Sequence, residues 1–224
     1  ASSRIDAGTT YASKIDSTQM GVYASIGSEK SYFDFAYMQS DMDHEVSNRV
    51  LSNVKESYSA ALNSFYLGVG RSIHLNKWFK ITPEASLLTS TYDQDAYQRS
   101  GVIAGESKQI ASYSNDSQML SLGATLSTKN QIDWFNRGLA MIPEFRFHWL
   151  RELNPNPEDM RYTNSLGSST LSIRSREENL FKMGVGLDIW SWHFYTTKFQ
   201  FNYDLTTGES YQEQLISGKV SLSF

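Results

Sequence analysis

The stretch YQEQLISGKVSLSF, residues 211–224, closes the chain, and from Leu215 onward its side chains alternate in character. Ile216, Gly218, Val220, Leu222 and Phe224 fall on one face, while Ser217, Lys219, Ser221 and Ser223 fall on the other. A repeat of two is the mark of a β-strand, because successive side chains leave it on opposite sides. A strand of this kind completes either the half-buried sheet of a soluble sandwich or the wall of a membrane barrel. The rest of the chain decides which.

Working back from that strand, the same alternation recurs between turn signals. Phe199, Phe201, Tyr203 and Leu205 oppose Lys198, Gln200, Asn202 and Asp204 in a strand expected over 193–205. Phe181, Met183, Val185, Leu187 and Ile189 oppose Lys182, Gly184, Gly186 and Asp188 over 179–190. Further strands are expected over 138–151, 118–127, 78–92, 57–73, 32–39, 18–26 and 4–12. In the strand over 57–73 the glycines Gly68 and Gly70 lie on one face only, which predicts an inner wall where neighbouring bulky groups need room. Pro83 and Pro143 lack a ladder donor, so a bulge or a local break in pairing is expected at Pro83.

Composition narrows the class. The chain has 224 residues, and no Pro-, Gly- or Ser-rich linker divides it, so one domain over 1–224 is expected. Hydrophobic residues make up 40% of it, and no apolar run approaches the roughly 20 residues that a membrane helix needs. Its mean hydropathy of −0.43 does not exclude a β-barrel, whose apolar exterior is averaged against a polar lumen. The 13 Tyr, 12 Phe and 5 Trp suit a sheet with aromatic girdles. With no cysteine, the chain has no disulfides, thiolate metal sites or cysteine nucleophiles. A net charge of −4, without a clustered basic patch, argues against nucleic acid as a partner. The histidines, His44, His74, His148 and His193, lack ligand spacing, so neither a metal site nor a cofactor is expected.

Two regularities favour the barrel. Full charges stand in mid-strand on the face opposite the apolar one: Lys80, Glu84, Glu144, Arg146, Lys182, Asp188, Lys198, Asp204 and Lys219. In a soluble sheet they would face water; in a barrel they would line the lumen. Connection lengths also alternate. The stretches SKID (13–16), 40–56, 93–116, 152–178 and TTGES (206–210) share one end of the sheet, and the long ones all lie among them. GSEK (27–30), HLN (74–76), 128–137 and WSW (190–192) share the other. The fold class that follows is all-β: an antiparallel, up-and-down transmembrane β-barrel of the outer-membrane type, with about ten strands in this chain.

Several segments, taken in order, resemble the translocator barrel of monomeric autotransporters (type V secretion): MGVYASIG (20–27) with SYFDFAYMQS (31–40), FYLGVGRSI (65–73), ITPEASLL (81–88), IPEFRFHWLRE (142–152), LFKMGVGLDIW (180–190) and KVSLSF (219–224). The terminal strand also resembles the carboxy-terminal assembly signal of outer-membrane barrels, which would assign that role to Ile216, Val220, Leu222 and Phe224. The resemblance implies residence in the outer membrane of a Gram-negative bacterium. The implied partners are the lipid bilayer, the barrel assembly machinery and an N-terminal passenger, and no catalytic role is implied. Family barrels have twelve strands and a pore helix, whereas this chain starts where the family's third strand does. Two strands, the helix and the passenger are therefore expected to lie outside it.

Other readings stand beside this one. A ten-stranded outer-membrane protease of the omptin type would use Asp and His residues at the extracellular rim, where Asp41, Asp43, His44, Asp93, Asp95 and Asp116 are expected. A passive porin or adhesin barrel and a soluble carbohydrate-binding sandwich are the remaining alternatives.

Overall fold

A computed structural model describes residues 2–7, 11–28, 30–48, 55–99, 108–128, 132–133, 139–156, 159–164, 167–171, 176–191 and 197–222. Among them the regular elements are all strands: β1 (Ser2–Ala7), β2 (Tyr11–Gly27), β3 (Ser31–Asn48), β4 (Lys55–Arg71), β5 (Ile73–His74), β6 (Phe79–Gln94), β7 (Tyr97–Arg99), β8 (Lys108–Ile110), β9 (Tyr113–Thr128), β10 (Ile132–Asp133), β11 (Leu139–Glu152), β12 (Met160–Asn164), β13 (Gly167–Leu171), β14 (Asn179–Ser191), β15 (Thr197–Thr207) and β16 (Gln212–Leu222).

The main sheet runs β1-β2-β3-β4-β6-β9-β11-β14-β15-β16, with β5 on β6 and β10 on β11. Every pairing is antiparallel, and each long strand neighbours the long strand before it in sequence, as the up-and-down expectation requires. A second sheet, β13-β12-β8-β7, is built from the two long connections β6–β9 and β11–β14.

Register follows the alternation. Phe35 lies opposite Ala24 on one side and Leu67 on the other, and the row continues through Leu87 to Leu120. In the same way Leu126, Phe145, Val185, Tyr203 and Ile216 form a row across five strands. A slip of one residue in any pair would turn its apolar side chains to the charged face, so the pattern fixes the pairing. This apolar face is the exposed one: Val22, Ile26, Phe145, Phe147, Phe201 and Val220 are each at least half accessible. Only Ala60, Ile110, Tyr113 and Ala140 are buried hydrophobics among the described residues. The fold is thus inverted relative to a soluble sandwich, whose largest apolar side chains would meet between two sheets.

Several expectations need correction. SKID (13–16) is not a turn but lies within β2, where Ser13 pairs with Ile5 and Val46 and Asp16 pairs with Ser2 and Asp43. The stretch 40–56 is not mainly loop either, since β3 continues to Asn48 and β4 starts at Lys55. Residues 93–116 and 152–178 hold β7, β8, β12 and β13. Strands persist there because ladder hydrogen bonds need no apolar face. Beyond the apolar belt the outward face of β3 turns acidic, with Asp41, Asp43 and Glu45.

Pro83 breaks pairing on one side only. It stays in register with Ala124, but the β4 ladder ends at Gly70 opposite Glu84, and the pairing resumes at Ile73 opposite Ile81. There is no bulge. Beside the break, Ser72 gives its N–H to the Lys30 carbonyl at 2.7 Å and so stays tied to the β3 side, while Pro83 has no N–H to offer β4. The expected WSW turn lies partly outside the described residues, as does Phe224.

Candidate functional site

Opposite the apolar exterior, the charged side chains share one face. Lys80, Glu84, Glu144, Arg146, Lys182, Asp188, Lys198, Asp204 and Lys219 all occupy positions whose cross-strand partners belong to the same inward rows. One row runs Glu84, Gly123, His148, Lys182, Thr206 and Glu213; the next runs Thr82, Thr125, Arg146, Gly184, Asp204 and Leu215.

Arg146 is the hub of this face. It bonds Asp204 at 3.0 Å, the Asn202 side-chain oxygen at 2.8 Å and the Val185 carbonyl at 3.3 Å, and it pairs with Glu144 two residues away. Asp204 also meets Lys182 at 3.6 Å, so a carboxylate is shared between two cations. Lys198 pairs with Asp188 at 2.8 Å, and Gln200 donates to the same carboxylate at 3.0 Å. Glu84 approaches His148 Nε2 at 3.6 Å. Lys80 and Lys219 form no ion pair among the described residues. The ladder therefore covers β6, β11, β14 and β15, with single cations at its margins.

Glycines make the room for it. A Cβ on Gly186 would stand 2.5 Å from Glu144 Oε1 and 2.8 Å from Arg146 Nη1. On Gly68 it would stand 2.6 Å from the Tyr66 hydroxyl, and on Gly70 it would run into the Tyr32 ring. The inner-wall expectation drawn from Gly68 and Gly70 is met by aromatic rings lying flat across the backbone.

The end of the sheet that carries the long connections holds a second arrangement, unforeseen in the sequence. His44 stacks on Tyr58 with centroids 4.6 Å apart, and Tyr58 stacks on Tyr97 at 4.7 Å, so β7 lies against the inward face of β4. Glu56 fastens it, receiving Arg99 at 2.9 Å and the Tyr97 hydroxyl at 3.4 Å. Burial first, and the Glu56 charge next, push the Tyr97 phenol up to about 12. Burial also lowers His44, against the smaller opposing influence of Asp43. Glu152, expected at the start of a loop, is instead the almost fully buried last residue of β11. Its carboxylate receives the Ser117 hydroxyl at 2.5 Å, the Gln118 N–H at 2.7 Å and the Asn154 N–H at 3.1 Å, pinning the outgoing loop to β9. The sequence signal for it was its parity with Glu144 and His148.

The rim carboxylates do not converge on a catalytic site. Asp41, Asp43, Asp93 and Asp116 occupy outward rows, whereas His44 turns inward, and Asp95 follows β6 with its N–H on the Ser59 carbonyl. No group of three or more His, Asp or Glu residues that could hold a metal occurs among the described residues. In the terminal strand, Ile216 and Val220 point outward and are 68% and 60% exposed, Leu222 pairs with Thr197, and Phe224 lies outside the described residues.

An antiparallel wall that is apolar outside and ion-paired inside defines a β-barrel domain of the outer-membrane type. The family model "Autotransporter beta-domain" matches residues 1–213. The chain belongs to this family, and its function is that of the translocator domain of an autotransporter. A search of curated proteins gives no match. Among solved structures, the transport unit of the autotransporter AIDA-I from Escherichia coli is similar, with 9% identity, 100% of this chain and 87% of that chain covered, and a TM-score of 0.29.

Proposed function

We propose that residues 1–224 form one domain that resides in the outer membrane of a Gram-negative bacterium and conducts a passenger polypeptide along its inward face. In this reading Lys80, Glu84, Glu144, Arg146, Lys182, Asp188, Lys198, Asp204 and Lys219 line the lumen. Pairing them with one another keeps the wall hydrated yet leaves few bare charges to hold a passing chain. Ile216, Val220, Leu222 and Phe224 form the strand that the barrel assembly machinery reads. The observation that supports this most directly is the segregation itself: ion pairs inward, and accessible Phe, Val and Ile outward on the same strands.

The test exploits the absence of cysteine. Single cysteines replace Ser217 and Asn202 on the inward face and Phe201 and Val220 on the outward face, each in the full-length protein. In intact membranes, a water-soluble maleimide is expected to label the first pair and spare the second, with all four reacting after boiling in detergent. Equal labelling of both faces without detergent would refute the membrane placement. Loss of passenger surface exposure on blocking position 217 or 202 with a bulky maleimide would tie the lumen to translocation; unchanged exposure would sever the two.

A further inference from the structure

The end of the sheet opposite the long connections carries a prebuilt turn that the translocator reading leaves unused. Between β5 and β6, Asn76 Oδ1 accepts the N–H groups of Trp78 at 2.7 Å and Phe79 at 2.9 Å, and Leu75 N–H returns to the Phe79 carbonyl at 3.0 Å. The turn is thus held closed by its own backbone, yet it presents Ile73, Leu75, Trp78 and Phe79 at 48, 56, 61 and 43% exposure. Lys77 Nζ stands 5.4 Å from the Trp78 ring centroid. Arg71 lies on the outward row of Phe33 and Val69, one alternation from Ile73, and is exposed. Neither cation forms an ion pair among the described residues.

Charge is segregated along the outside of the wall. At the far end, the outward rows of β2, β3, β6 and β9 carry Asp16, Asp41, Asp43, Glu45, Asp93 and Asp116, with Lys14 the cation among them. Around this turn the outward positions of the described strands carry no carboxylate. A rigid aromatic tip beside two free cations, continuous with an apolar belt, is complementary to a layer of phosphate-bearing headgroups over acyl chains.

We propose that the β5–β6 turn is a docking surface for anionic phospholipid, with Trp78 and Leu75 seated at the acyl boundary and Lys77 and Arg71 on the headgroup phosphates of the periplasm-facing leaflet. The proposal rests on the membrane reading above and adds a lipid class to it. The cation–π contact keeps Lys77 beside the indole, so one group cannot reach the interface without the other.

The full chain is folded into phosphatidylcholine vesicles containing 20 mol% phosphatidylglycerol, with bromine on the acyl chains of one lipid or the other at the same mole fraction. The Trp78 signal is the difference between the wild type and Trp78→Phe. Expected is quenching of that signal about twofold greater by the brominated anionic lipid than by brominated phosphatidylcholine. The doubly substituted Arg71→Gln, Lys77→Gln protein should quench equally with both. Equal quenching in the wild type would overturn the headgroup preference. No quenching by either lipid would overturn docking and leave the turn for a periplasmic protein. A gel shift on boiling, retained in every variant, separates these outcomes from failure of the barrel to form.

Discussion

Replacing Arg146 by Met tests whether the inward charges act as one structure or as separate solvated groups. The change removes a guanidinium that is 17% exposed and leaves Glu144 and Asp204, 30% and 13% exposed, without their shared partner. Breaking a well-buried ion pair costs about 3–5 kcal/mol. Here Asp204 keeps Lys182 at 3.6 Å and water reaches this face, so about 2 kcal/mol is the expected loss. Lys219→Met, on the same face but in no ion pair among the described residues, should cost less than about 0.5 kcal/mol. Adding Asp204→Leu to Arg146→Met should recover part of the deficit, with a coupling of about 1 kcal/mol between the two sites. Urea unfolding in lipid vesicles, followed by tryptophan fluorescence and by the gel shift on boiling, measures the wild type, Arg146→Met, Asp204→Leu, Lys219→Met and the double variant. Should Arg146→Met prove no more costly than Lys219→Met, or the double variant be additive, the ladder is a list of independent charges and the reasoning fails.

Three other outcomes follow from the geometry. Phe147→Arg places a charge in the middle of the outward belt and should cost about 2–4 kcal/mol in the same assay, whereas Ser217→Arg on the inward face should cost little; reversal of that order would invert the assignment of faces. A Cβ at Gly21 would stand 2.8 Å from the backbone oxygen of Tyr37, while at Gly186 it meets movable side chains, so Gly21→Val should destabilise by about 2–3 kcal/mol and exceed Gly186→Val, as equilibrium unfolding will show. His44 is held below its ordinary value of 6.5 in the fold. The unfolded chain therefore binds the proton more readily, and the stability of the rim is full above pH 6.5 and falls as pH drops below it. Limited proteolysis of β7 and β8 between pH 7.5 and 5 should accelerate, and His44→Gln should flatten that dependence.

The nine long strands were legible because lipid demands an apolar residue at every second outward position while the lumen tolerates polar ones; the strand expected over 4–12 instead divides between β1 (Ser2–Ala7) and the start of β2 at Tyr11. Phe181 to Ile189 and Phe199 to Leu205 carry that demand in plain sight. The same logic explains what was not legible. Past Tyr37 the outward row of β3 becomes Asp41, Asp43 and Glu45, and the inward row Met42, His44 and Val46. The hydrophobic alternation vanishes, and even reverses, although the ladder to β2 and β4 continues unbroken. Polarity thus suggested a loop where only the apolar belt had ended. The small sheet of β7, β8, β12 and β13 escaped for another reason: its pairing joins segments from different connections, and no local pattern in residues 93–116 or 152–178 announces a partner so distant. Glycine spacing disclosed an inner wall, but not that Arg146 would gather four acceptors there. That depends on cross-strand register across β11, β14 and β15.

The strands reach unequally far beyond the apolar belt. β3 runs on from Tyr37, where its outward aromatics end, to Asn48, whereas β15 stops at Thr207, just past Leu205. At about 3.3 Å per residue and a tilt near 40°, one lip stands about 20 Å above the other. This end of the sheet is therefore stepped, high along β2 to β4 and low along β15. The β15–β16 turn at the low side is tied to the β11–β14 connection, where Glu177 accepts the Ser210 hydroxyl at 2.6 Å.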